Sequence, residues 1–218
     1  MTSHAKQPES QPRKRTWYRR SAAAFRWVHI YISMLGFASL MFFAFTGLTL
    51  NHPTWFGAAE QSVSDLVGQL PEAFLNSNND VSENVEEATD KLGIAEWLRS
   101  EHRLKGYVAE FSVDEFEHMV VFKGPGYSAD VFIDRDSGRY SLTETTTGPM
   151  AVMNDLHKGR DSGTQWSWVI DVSAIITMLM SLSGFGLLFY IRRRRISGVA
   201  TAVAGTVALV VVWAFWVP

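Results

Sequence analysis

Three long stretches of this chain are nearly free of charge, and between the first two the polar and apolar positions alternate on a much shorter scale. From Val28 to Leu50 the sequence reads VHIYISMLGFASLMFFAFTGLTL, in which His29 is the only ionisable side chain apart from Tyr31. At 1.5 Å per residue a helix of this length reaches about 34 Å, enough to cross a hydrocarbon core of about 30 Å. A second apolar run extends from Trp166 to Ile191, interrupted only by Asp171 near its start, and a third from Val199 to Val217 carries no charge. The pattern predicts three membrane-spanning helices.

The long segment between the first two spans has a different texture. Pro53 to Asn79 is polar with scattered apolar residues, which predicts an irregular or partly helical lead-in, the helical signal lying around Ser64 to Leu75. From Val81 onward Val85, Ala88, Leu92 and Ala95 recur every three or four residues among acids, the pattern of an amphipathic helix, with Gly93 its weak point. Tyr107 to Val113, Phe116 to Lys123, Ala129 to Asp134 and Arg139 to Thr143 are rich in β-branched and aromatic residues with partial period-two alternation, which predicts four strands. Gly124-Pro125-Gly126 and the run Asp134 to Gly138 supply turn chemistry between them. A helix followed by an antiparallel meander makes a small α+β domain. The expected organisation is a tail over 1–25, a first span over 26–51, a lead-in over 52–80, the α+β domain over 81–148, a connector over 149–165, a second span over 166–191, a loop over 192–197 and a third span over 198–217.

Charge gives this arrangement a direction. The net charge of -2 conceals a partition: residues 1–26 carry seven Lys/Arg against Glu9 alone, residues 52–165 carry twenty acids against nine bases, and the remaining bases are Arg192 to Arg195. Basic residues flanking spans stay in the cytoplasm. The N-terminus and the Arg192 loop are therefore expected in the cytoplasm of a bacterial inner membrane, with the acidic domain and the C-terminus in the periplasm. Trp55, Phe56, Trp166, Trp168, Trp213 and Trp216 would mark the outer interface. The first span is too long for the 7–15-residue apolar region of a signal peptide, despite Arg19-Arg20 before it, so a permanent anchor is expected.

Cysteine is absent. That excludes disulfides, thiolate-held iron–sulfur clusters, covalently attached c-type haem and cysteine nucleophiles. Gly-rich nucleotide loops, serine triads and zinc motifs are missing as well. A nucleic-acid partner is not expected, and any redox role requires a cofactor bound without a covalent link.

Several short motifs occur in an informative order. Arg26-Trp27-Val28-His29 opens the first span, Gly36 follows, and Thr46-Gly47 lies near its end; Val131-Phe132-Ile133-Asp134 with Ser137-Gly138 closes the strand region; Leu156-His157-Lys158-Gly159 leads into a Trp-rich helix entry and Leu182-Ser183-Gly184. In this order and spacing they resemble the PepSY-associated transmembrane proteins, in which a small PepSY domain is inserted between membrane helices, and the resemblance covers most of the chain. It implies a membrane α-helical protein with about three transmembrane helices and an inserted small α+β PepSY-like extracytoplasmic domain. Larger relatives resemble inner-membrane iron or siderophore reductases that hold b-type haem between helices through histidines, which implies haem b and an electron path across the bilayer. This chain has three spans instead of four or more, so a complete haem site is expected to draw on a second copy, as a homodimer, or on another membrane subunit.

A bis-histidine haem needs two imidazoles on opposite faces of the porphyrin in an apolar slot. His29, His52 and His157 sit where that is feasible. His29 and His52 are about 34 Å apart along a helix and cannot share one haem, whereas His52 and His157 could. Each has a second reading: His52 as a polar residue capping the helix end, His157 as a surface loop residue, and His29 as an interfacial side chain that snorkels to the headgroups. If His29 ligates, neither other span supplies a second histidine, and His29 of a second protomer is the simplest source. His4, His102 and His118 read as solvated, and Asp171 as a hydrogen-bonded structural carboxylate in preference to a proton relay. Small residues on the spans read as packing positions.

The expected function is an inner-membrane b-haem electron-transfer component that passes electrons to an extracytoplasmic acceptor, ferric iron or a ferric siderophore being the leading example. Whether the chain is itself an oxidoreductase or the membrane subunit of one stays open. The alternative is a non-catalytic anchor whose PepSY-like domain binds and regulates a periplasmic partner, for example by adding a strand to its sheet edge.

Overall fold

A computed structural model of the protein describes residues 13–75 and 89–218. The predicted helical positions Val81, Val85 and Ala88, and His4, lie outside them. The chain forms two units, one comprising the chain up to Met41 together with Asp171–Pro218, the other Phe42–Ile170.

The first unit is helical. Helix α1, Arg13–Leu50, contains no proline and runs on until the chain approaches Pro53. Its main partner here is α5, Gly163–Leu188, and the last helix of the chain is α6, Arg195–Trp216. Among the described residues these are three helices long and apolar enough to cross a membrane. Helices α1 and α5 pack antiparallel: Gly36 faces Ile176, His29 faces Ser183, Phe25 faces Gly186 and the Tyr18 ring meets that of Tyr190 at a tilt. Glycine allows this closeness. A Cβ on Gly36 would sit 2.6 Å from Ile176 Cγ2, and one on Gly186 2.7 Å from Phe25 Cε1. Helix α6 is exposed over most of its length, and nothing lies within 4 Å of where a Gly205 Cβ would be.

The second unit is built on a five-stranded antiparallel sheet in the order β1-β5-β4-β3-β2. Strands β2 (Tyr107–Val113), β3 (Glu117–Gly124), β4 (Tyr127–Asp134) and β5 (Arg139–Thr147) form the predicted meander. The β4–β5 turn is fastened by Asp134, whose carboxylate accepts from Ser137 N at 2.7 Å and Ser137 Oγ at 2.6 Å. Those bonds hold its pKa below the usual carboxylate range.

One strand departs from expectation. Gln61–Gln69, anticipated as irregular or helical, is strand β1 and pairs with β5 from Gln61↔Thr147 to Gln69↔Arg139. It is an edge strand exposed at nearly every position, so no core selects its side chains and the period-two signal is lost. Short helix α2, Glu72–Leu75, follows it, and α3, Lys91–His102, is the observed part of the predicted amphipathic helix. Asp90 caps α3 by accepting from Gly93 N at 2.9 Å. Ile94, Ala95 and Leu98 of α3 pack on Val120, Phe122, Ala129, Val131, Ile133 and Leu142, leaving the other sheet face open.

After β5 the expected connector contains helix α4, Pro149–Lys158, with Pro149 in its first turn and Gly159 in the left-handed conformation (φ 66°) at its end. Gly126 and Thr147 tie the β3–β4 turn to this region, since Gly126 N donates to Asp155 Oδ2 at 2.9 Å and Thr147 N to Gly126 O.

Candidate functional site: hydroxyl-clamped histidines

The three candidate histidines share a local chemistry that the sequence did not disclose. In the helical unit the half-buried His29 ring lies against α5, and His29 Nδ1 is 2.9 Å from Ser183 Oγ. The serine hydroxyl also donates to Met180 O, three residues earlier on its own helix, at 2.9 Å. A hydroxyl carries one proton and a carbonyl oxygen can only accept, so with that proton on Met180 O Ser183 receives the bond from His29. That assigns the proton to Nδ1 by the hydrogen-bond network and leaves Nε2 with its lone pair. Gly184 makes room for the ring, because a Cβ there would stand 3.1 Å from His29 Cε1. One turn along α1, on the same face, Ser33 Oγ is buried with no hydrogen-bond partner.

His157 repeats the arrangement in the other unit. It belongs to α4, which sets aside the alternative reading of a surface loop residue, and its Nδ1 is 2.6 Å from Thr46 Oγ1 in the last turns of α1. With the threonine proton on Phe42 O, 2.6 Å away and four residues back, the hydroxyl accepts from His157 Nδ1–H by the same count of protons. Thr46 is fully buried, Phe43 meets the imidazole edge-on at 5.3 Å between ring centres, and Trp166 Nε1 donates to Leu156 O at 2.8 Å. One turn away Thr49 Oγ1, also fully buried, lies 2.7 Å from Asn154 Oδ1 and 3.0 Å from Thr46 O. Two polar pairs thus lock α4 to the end of α1.

His52 lies just beyond α1. Its Nδ1 donates to Leu48 O at 3.0 Å, satisfying a carbonyl that the helix end leaves without a partner, while its ring stacks on Trp55 at 4.1 Å. The capping reading therefore describes what His52 does with Nδ1, and Nε2 is again the unprotonated nitrogen. His52 and His157 are not among each other's ring or hydrogen-bond partners. Among the described residues no cluster of three or more metal-ligating side chains forms, so each histidine offers a single donor atom.

The remaining polar residues correct three expectations. His118, read as solvated, is 2% exposed on the core face of β3 between Val113 and Ile133 of its neighbouring strands, with Nδ1 unpaired. Burial, with the nearby charges of Arg135 and Lys91, lowers its pKa from 6.5 to about 4, so it is neutral at physiological pH. The signal was in the alternation, since position 118 shares its face with Val120 and Phe122. His102, also read as solvated, is half-buried, and its Nε2 pairs with Tyr140 Oη at 2.7 Å. Asp171, expected to be hydrogen-bonded, is exposed, and among the described residues nothing bonds to its carboxylate.

Elsewhere the open sheet face carries a groove of about 800 Å³ lined by Val67, Phe116, Phe132, Glu117, Asp134 and Arg139, among others. No curated protein and no solved structure matches the chain. A family model described as Putative PepSY_TM-like matches residues 23–218, and the chain belongs to that family.

Proposed function

We propose that the protein is a b-haem electron-transfer component of the bacterial inner membrane. Its N-terminus lies in the cytoplasm and its sheet domain in the periplasm, where an acceptor such as ferric iron or a ferric siderophore takes the electrons. The observation that carries this reading is the geometry shared by His29, His52 and His157: each holds Nδ1 within hydrogen-bond distance of an oxygen, which leaves Nε2 as the ring nitrogen open to a metal. Metal-ligating histidines characteristically donate their other ring N–H to an oxygen acceptor, which fixes ring orientation and raises ligand basicity. The donor set fits haem, a borderline metal centre that takes neutral imidazole. Gly184 lets the His29 ring seat against α5, and the unpaired Ser33 hydroxyl beside it is the kind of buried group that a bound ligand would satisfy.

His157 would hold one face of a haem with the second imidazole drawn from His52, a second copy of the chain or a membrane partner, and His29 one face of another with the second imidazole drawn from a second copy or a membrane partner. Haem supplies a one-electron couple at iron. The protein's own residues orient the imidazoles through Nδ1, and apolar neighbours such as Phe43 limit water. A reduced-minus-oxidised spectrum of the detergent-purified protein tests this, with pyridine haemochrome quantification. The expected result is a b-type signal at close to one haem per chain or per dimer; colourless protein from haem-replete cells contradicts it.

A second reading draws on the groove on the sheet face, where Val67 is 85% and Phe116 73% exposed. There the protein is a membrane anchor whose PepSY-like domain binds a periplasmic partner. Co-purification of a stoichiometric periplasmic protein with colourless membrane protein would favour it.

A further inference from the structure

The geometry points to Ser183 and Thr46 as positioning residues that set the histidine tautomer, each through a relay of the form imidazole N–H to hydroxyl to helix carbonyl. This rests on the haem reading for its purpose, although the relay itself concerns only this chain's atoms. Two independent instances occur, one in each unit: His29 Nδ1 to Ser183 Oγ to Met180 O, and His157 Nδ1 to Thr46 Oγ1 to Phe42 O. In both the hydroxyl is turned back onto its own helix, to the carbonyl three or four residues earlier. That geometry is open to Ser and Thr inside helices.

The consequence is directional. With its proton committed to a carbonyl that can only accept, the hydroxyl cannot donate to the imidazole, so a neutral histidine bound to it must carry its proton on Nδ1. A free imidazole would distribute its proton between both nitrogens. In an apolar helix interface an unpaired N–H is costly, so the relay selects one tautomer. It therefore presents Nε2 as the donor atom at both sites. The same bond lends the imidazole anionic character, which favours the oxidised over the reduced state of a metal bound at Nε2.

Ser183 and Thr46 would pass for ordinary packing residues on a sequence reading. What separates a positioning role from packing is that the hydroxyl, not the side-chain volume, carries it. Thr46→Val preserves shape and removes the acceptor; Thr46→Ser removes a methyl and keeps it. Ser183→Ala and Ser183→Thr make the matching pair.

The experiment uses full-length protein with ¹⁵N-labelled histidine, purified free of haem in detergent, at a pH about two units above the ordinary histidine pKa of about 6.5. Ring-nitrogen chemical shifts distinguish protonated from unprotonated sites. Wild-type His29 and His157 should show Nδ1–H with bare Nε2. Thr46→Val should mix the tautomers at His157 alone and Ser183→Ala at His29 alone, and both conservative variants should restore them. Nε2–H at either wild-type residue, or unchanged tautomers in Thr46→Val and Ser183→Ala, would overturn the inference. In haem-loaded protein the two disruptive variants should weaken haem affinity about tenfold. They should also raise the midpoint potential, a tenfold change in the ratio of oxidised- to reduced-state binding being about 59 mV for one electron. Wild-type protein that refuses haem while showing the Nδ1–H tautomers would sink the haem reading and leave the relay standing.

Discussion

Histidine Nδ1 meets two different fates in this chain. At His29 and His157 it lies within hydrogen-bond distance of a hydroxyl oxygen. At His118 the ring is enclosed on the core face of β3, beside Phe111 and near Lys91 and Arg135, with no hydrogen bond to Nδ1. The His118 environment has a calculable cost. Its pKa falls from 6.5 to about 4 on folding, so between those values the unfolded chain takes up a proton that the folded chain refuses. Stability from this group is complete above about pH 6.5 and is lost as pH falls through the window down to about 4. Each pKa unit is about 1.4 kcal/mol, so the loss is on the order of 3 kcal/mol. Hydrogen exchange of β3 and β4 amides in the full chain, corrected for intrinsic rate, should show opening free energies that decline across this window. The decline should be much flatter in His118→Leu; equal slopes in the two proteins would contradict the assignment.

Among the elements, what could be read from the sequence was what a core had selected. Strands β2 to β5 alternate because one face meets α3, and α3 shows its period through Ile94, Ala95 and Leu98. Strand β1 was hidden because both of its faces are largely exposed. Helix α4 was passed over as a connector although Pro149 and Gly159 mark its two ends; at ten residues it is too short for a strong periodic signal. The histidine positions were legible, whereas the hydroxyl relays were not: Thr46 and Ser183 meet their partners across 111 and 154 residues of sequence, a pairing no local pattern encodes. The packing of α1 on α5 makes its own prediction. Gly36→Leu would drive a side chain into Ile176, where even a Cβ stands at 2.6 Å, and should destabilise the helix pair by about 1–3 kcal/mol. Gly205→Ala, with open space around it, should leave the thermal midpoint within a degree or two of wild type in detergent. A midpoint drop confined to Gly205→Ala would mean that α6, not α1 with α5, carries the tight contact.

For the molecule as a whole, membership of the PepSY_TM-like family and three helices of spanning length make the chain a membrane protein, while its orientation is part of the proposal. The absence of cysteine makes that orientation easy to measure, since any introduced thiol is unique. With the sheet domain outside, a membrane-impermeant maleimide added to intact spheroplasts should label Glu115→Cys at the exposed β2–β3 turn. It should reach Ser197→Cys, beside the arginine run, only after permeabilisation. The reverse pattern would invert the topology and with it the direction of electron flow. The electron-transfer account stands on the histidines, and one comparison decides it: difference spectra and pyridine haemochrome content for wild type, His29→Ala, His157→Ala and, as a control, His102→Ala, whose ring is engaged with Tyr140. A b-type signal in wild type and His102→Ala that is reduced or abolished in His29→Ala and His157→Ala is the predicted result. A signal indifferent to both substitutions, or none in any of the four proteins, would contradict it.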